Sequence, residues 1–129
     1  MNPKDRMSIE KAPLNLVPPA AIAEMAGALL DGAKKYGPYN WRCEQVKASI
    51  YYSAVQRHLL KWLDGDDIDA ESGCSHLAHA MAGLAIIIDG NYQESWVDDR
   101  SISHSGSKAL TRINEILRLN KEDMDEIIS

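Results

Sequence analysis

SHLAHAMAGLAIIID, residues 75–89, is the stretch whose reading decides the fold. From Leu77 to Ile88 nearly every position is apolar, with no polar stripe of either helical or strand period. Such a run predicts a helix covered on most sides, a central or interface element. Ser72 or Ser75 supplies an N-cap hydroxyl. His76 and His79 fall one turn apart on one face, and Gly83 one turn further along leaves room beside them.

Working upstream, Val46, Ile50, Ala54, His58 and Trp62 form one helical row, and Tyr51, Val55, Leu59 and Leu63 the adjacent one. They predict a helix over about 46–63, with His58 on an otherwise apolar face. Gly65 breaks it, and an acidic loop follows with Asp64, Asp66, Asp67, Asp69 and Glu71. Earlier still, Ala21, Ile22, Met25, Ala26, Leu29, Leu30 and Ala33 predict a one-faced helix. It opens on Pro18-Pro19 and ends at Gly37-Pro38, with Lys34 and Lys35 in its last turn. Residues 1–17 read as an extended arm. Downstream, 90–106 reads as a loop docked by Trp96, and a fourth amphipathic helix runs over about 108–119. The tail beyond Asn120 is expected to fray. No segment reads as a strand, so the expected class is all-α, a bundle of about four main helices.

The totals narrow the functions. At 129 residues one domain is expected, with a core over 13–90 and a loop plus C-terminal helix over 91–129. A net charge of −5 argues against a broad nucleic-acid surface, while leaving room for a small anion held by a few local cations. Cys43 and Cys74 follow no metal spacing and read as reduced thiols. The polar start resembles no signal peptide, and the apolar run is too short to cross a bilayer. The expectation is a soluble, cytoplasmic protein that binds neither membrane nor nucleic acid.

Chemistry concentrates at the helix ends. Lys34, Lys35, Arg42 and Arg57 are candidate phosphate contacts, and Asn40 and Trp41 candidate sugar or base contacts. Carboxylates crowded as in 64–71 repel one another, and a divalent cation relieves that repulsion. Two histidines on an apolar helix also need polar partners. Asp66, Asp67, Asp69, Glu71, His76 and His79 are therefore candidate ligands for Mg²⁺ or Mn²⁺. Asp69, Glu71, His76 and His58 are the candidates for catalysis. The combination suits metal-assisted attack of water on a phosphoryl group.

The strings VPPAAIAEMAGALLDGAKKYGPYNWR (17–42) and YYSAVQRHLLKWLDGDDIDAESGCSHLAHAMAGLAII (51–87) resemble phage-type dATP/dGTP diphosphohydrolases. These are MazG-like members of the all-α NTP pyrophosphatase superfamily. The resemblance covers about 13–90 and is densest at GAKKYG with NWR, at RH before Gly-Asp-Asp, and at DxESGxxHLxH. It implies a helical bundle of two or four chains and a divalent metal. It also implies cleavage between the α- and β-phosphates of a purine deoxynucleoside triphosphate, dGTP by preference, to monophosphate and pyrophosphate. The wider superfamily's E-E-x-x-E and E-x-x-D strings are absent, which leaves the metal to the acidic loop and histidines or to other carboxylates of the chain.

Two other readings stay open. One is an HD-type hydrolase releasing triphosphate, although the chain has no His-Asp dipeptide. The other is a non-catalytic helical module that binds nucleotide or assembles with a partner.

Overall fold

The computed structural model describes residues 1–129, apart from the side chains of residues 122–124. The chain falls into two compact units, Met1–Asp99 and Arg100–Ser129. The first contains α1 (Pro3–Ile9), a 3-10 turn (Leu14–Leu16), α2 (Pro19–Tyr36), α3 (Asn40–Cys43), β1 (Val46–Lys47), α4 (Ala48–Leu63), α5 (His76–Tyr92) and β2 (Trp96–Val97). The second contains α6 (Ser105–Leu119) and α7 (Lys121–Ile128).

The all-α expectation holds, and α5 is the central helix of the first unit. It packs most extensively on α4 and next on α2. The seam is built from small residues. Ala28 of α2 meets Ala78 and Ala82 of α5, with Met25, Leu29 and Cys74 around them, and Val55 of α4 is buried nearby. Short side chains let the helix axes close in. A Cβ added at Gly83 would stand 2.7 Å from Val55 Cγ2, well inside contact distance. The space that Gly83 leaves is thus taken by α4 itself.

The predicted punctuation is visible in the caps. Ser75 accepts the Ala78 amide at 2.9 Å and donates to Glu24 of α2 at 2.7 Å, so one hydroxyl both starts α5 and ties it to its neighbour. Gly37 takes φ 89° and stops α2, a conformation open to glycine at no steric cost.

Two expectations need correction. Residues 3–9 are helical, because Asn2 accepts the Asp5 amide at 2.8 Å and Pro3 sits at the first helical position. The chain does contain strands: Val46 and Lys47 leave the helical row and pair in parallel with Trp96 and Val97. That pairing joins segments fifty residues apart, and no local pattern encodes it. Asp99 accepts from the amide and the hydroxyl of Ser49, fixing the next turn of α4. Beyond Asn120, the backbone continues as α7.

In the second unit, α6 carries the expected stripe of Leu110, Ile113, Ile116 and Leu117, all at least partly exposed.

Candidate active site

Facing residues of α4 and α5 bring three imidazoles together. His58 Nδ1 and His76 Nδ1 stand 2.9 Å apart, and the His58 and His79 rings stack at 4.8 Å with 12° between planes. His76 is 1% exposed, which makes it the largest fully buried side chain. Its Nε2 lies 3.2 Å from Asp66 Oδ2 but outside hydrogen-bonding geometry, and it has no other partner.

The loop after α4 folds back to serve this group. Asp69 N–H donates to the Cys74 carbonyl and Gly73 N–H to that of Asp69, each at 2.8 Å, with Gly73 at φ 77°. His76 N–H donates to the Asp67 carbonyl at 2.9 Å. Ser72 Oγ donates to Asp69 Oδ2 at 2.9 Å, accepts the Cys74 amide at 3.1 Å and meets His79 Nε2 at 2.6 Å. A hydroxyl has one proton, here given to Asp69, so His79 Nε2 carries its own proton and donates. His79 Nε2 also lies 3.4 Å from Asp69 Oδ2.

The electrostatics follow from these contacts. Burial pushes His58 below the ordinary histidine range, and the nearby His79 and His76 push it the same way. At neutral pH His58 is therefore an uncharged ring, able to accept a proton. Burial works against the Asp69 carboxylate, but the Ser72 hydroxyl and His79 outweigh it and hold Asp69 below its usual value.

His58, His79, Asp69, Glu71, Lys35, Asn40 and Trp41 all line one cleft of about 420 Å³, closed on its inner side by Ala28, Val55 and Ala82. The structure therefore gathers seven of the candidates read from the sequence. His76 supports the cleft from beneath, through His58. Others lie elsewhere. Asp67 lends the site its main-chain carbonyl and lines a separate apolar groove with Trp62 and Leu77. Lys34 and Arg57 are exposed and outside the cleft lining. Arg42 is engaged by Asp89, which takes its Nε at 2.8 Å and Nη2 at 2.9 Å and accepts Trp41 Nε1 at 2.7 Å. Lys35 is held by Glu71 at 2.9 Å and Asp31 at 3.3 Å, and both raise its pKa.

Four cleft or support residues escaped the sequence reading. Asp31 stands four before Lys35 and Lys61 three after His58, so helical spacing alone could have found them. Ser72 was weighed only as a cap, and Asp89 gave no local signal.

The donor set can be tested against a divalent cation. Two ligands on one cation, each at about 2.1 Å and near-octahedral to tetrahedral angles, stand about 3.0–3.4 Å apart. The His76–Asp66 pair has that separation, and His76 Nε2 is an orphaned buried nitrogen; the His79–Asp69 pair has it too, but there the proton on His79 Nε2 occupies the lone pair a metal would need. Among the described residues no three His, Cys, Asp or Glu side chains converge on one point. The set therefore fits a cation that draws its remaining ligands from water and phosphate oxygens, as Mg²⁺ commonly does.

Fold and site together define a helical protein with a histidine–carboxylate cleft. The family described as dATP/dGTP diphosphohydrolase, N-terminal, matches residues 1–100, and the chain belongs to that family. It is also 42% identical over 77 residues to a dATP/dGTP diphosphohydrolase of Salmonella phage PMBT28. That alignment takes in 60% of this chain and 26% of the relative, so the chain spans about a quarter of that relative's length. No solved structure matches the chain. Among the described residues no helix is long and apolar enough to cross a membrane.

Proposed function

We propose that this chain hydrolyses purine deoxynucleoside triphosphates, dGTP ahead of dATP, to the monophosphate and pyrophosphate. The observation that carries the reading is the single cleft holding His58, His79 and Asp69 beside the cations Lys35 and Lys61. The family membership and the relative's name support the substrate class.

In this reading Lys35 and Lys61 attract and orient the triphosphate. Neutral His58 takes a proton from water as the water oxygen bonds to phosphorus on one side of the α–β bridge. The bridging P–O bond breaks, and its electron pair leaves with the departing phosphate oxygen. His79 donates its Nε2–H to Ser72 and stacks on His58, so the Asp69–Ser72–His79 chain holds the base in place. Mg²⁺ or Mn²⁺, held by Asp66 and His76 with water and phosphate oxygens, would supply Lewis-acid neutralisation of phosphate charge. The protein is read as a homodimer or homotetramer, because large apolar side chains such as Leu30, Leu60 and Ile88 stand more than half exposed. Light scattering at micromolar concentration tests that assembly, and a monomer would refute it. A cytoplasmic location belongs to the same proposal.

The test of the reaction is ³¹P NMR of dGTP, dATP and dCTP incubated with protein and Mg²⁺ or Mn²⁺. Pyrophosphate with dGMP supports the reading, and triphosphate with nucleoside transfers the protein to the HD-type reaction. A non-catalytic nucleotide-binding module is the second reading. It is favoured by the lack of three converging metal-capable side chains among the described residues. Absence of turnover with every nucleotide and metal would put it ahead.

A further inference from the structure

A second hollow, of about 450 Å³, adjoins the cleft and shares Tyr36, Asn40, Tyr51 and Ala54 with it. The two form one groove with unlike ends. The cleft end holds His58, Asp69, Lys35 and Lys61. The other end has an apolar wall of Val46, Ile50 and Ala54, exposed Glu44, Gln45 and Lys47 at its rim, and two tyrosines at the junction. At the junction Tyr51 is partly buried, and that burial, with Tyr36 beside it, raises its hydroxyl above the ordinary range. A nucleotide has the same polarity along its length: a charged phosphate tail and a flat apolar ring with polar atoms only at its rim.

We propose that the purine lodges in this second hollow and that the Gln45 side-chain amide reads its edge. This rests on the reaction proposed above and assigns its base specificity. Glu44, Gln45 and Lys47 line this end and not the cleft, and of the three only Gln45 both donates and accepts, whereas Asn40 lines both hollows and stands where the sugar must pass. The backbone at Gln45 is anchored by the next residue. Val46 is 7% exposed, donates to the Ser95 carbonyl at 3.4 Å and pairs with Trp96.

The chemistry suits two purines at once. Adenine offers an N–H donor beside a ring-nitrogen acceptor, and guanine a carbonyl acceptor beside a ring N–H donor. One amide carries both an acceptor and donors, so turning it over matches either edge. A pyrimidine has one ring fewer and ends short of the exposed amide, so it forgoes the edge contact that a purine makes. Purine selection follows from reach, and tolerance of both purines from the amide's two faces.

The test is steady-state kinetics of the wild-type chain, Gln45→Ala and Gln45→Glu with dGTP, dATP and dCTP, with circular dichroism to confirm folding. Gln45→Ala should raise KM for both purine nucleotides about tenfold with kcat little changed, the loss expected of one edge-reading contact. Gln45→Glu, which only accepts, should favour dGTP over dATP by about tenfold or more, since guanine alone offers ring and amino donors on that edge. Wild-type KM values and ratios in both variants would overturn the proposal while leaving the hydrolysis intact. If the wild-type chain turns over no nucleotide, the reaction falls by itself. Calorimetric titration with dGMP and dAMP then decides the hollow: binding weakened about tenfold in Gln45→Ala supports it, and equal or absent binding overturns it.

Discussion

Trp41 Nε1 donates to Asp89 Oδ2 at 2.7 Å, a bond that joins the α3 turn to the end of α5 across 48 positions of sequence. Arg42 grips the same carboxylate with two nitrogens while its guanidinium lies 4.3 Å from the centre of the Tyr39 ring. These contacts explain why Asp89 titrates at about 2, with the Arg42 hydrogen bond first among the causes and the indole second. The carboxylate's folded pKa is below its unfolded value. Its contribution is therefore fully present above the ordinary carboxylate range and disappears as pH falls through about 2. Asp89→Asn should lower the melting temperature by a few degrees at pH 7 and flatten its decline below pH 4. Melting curves followed by tryptophan fluorescence check both, and an unchanged acid limb would contradict this account.

Asp69→Ala should reduce kcat by at least about a hundredfold, the usual scale for losing a central electrostatic group. Ser72→Ala keeps both the carboxylate and the imidazole but removes the hydroxyl between them, so a smaller loss of about tenfold is expected. Single-turnover rates measure both. An Asp69→Ala protein with full activity would remove that residue from the site.

His76→Ala empties a fully buried position and leaves His58 Nδ1 without its partner. It should cost about 2–4 kcal/mol of stability, the range for large buried side chains truncated to alanine. His58, at the cleft wall, should cost less on the same substitution. Urea unfolding in the presence of a chelator separates the two, and equal costs would argue against the buried support role of His76.

Gly83→Ala places a methyl 2.7 Å from Val55 Cγ2, so α4 and α5 must move apart. A loss of about 1–3 kcal/mol is expected from overpacking. Val55→Ala removes the obstructing methyl. The double variant should therefore lose less than the sum of the single changes, a coupling that a double-mutant cycle reads directly. Simple additivity would show that the helices do not touch there.

Local rules were enough for much of this protein. Pro18-Pro19 and Gly37 bracket α2, Ser75 opens α5, and the apolar row through Leu77–Ile88 marks the central helix, because caps and periodicity act within a few residues. His58 and His79 were also legible, since an imidazole on an apolar helical face demands a partner. What local rules could not supply was the identity of that partner. Tertiary packing decided that His58 faces His76, that Asp89 collects Trp41 and Arg42, and that Lys35 reaches Glu71. It also turned Val46 and Lys47 from a helical row into a strand, through pairing with residues fifty positions away. Sequence encodes what each residue requires within a turn or two. The choice among distant partners is made only when α2, α4 and α5 close on one another.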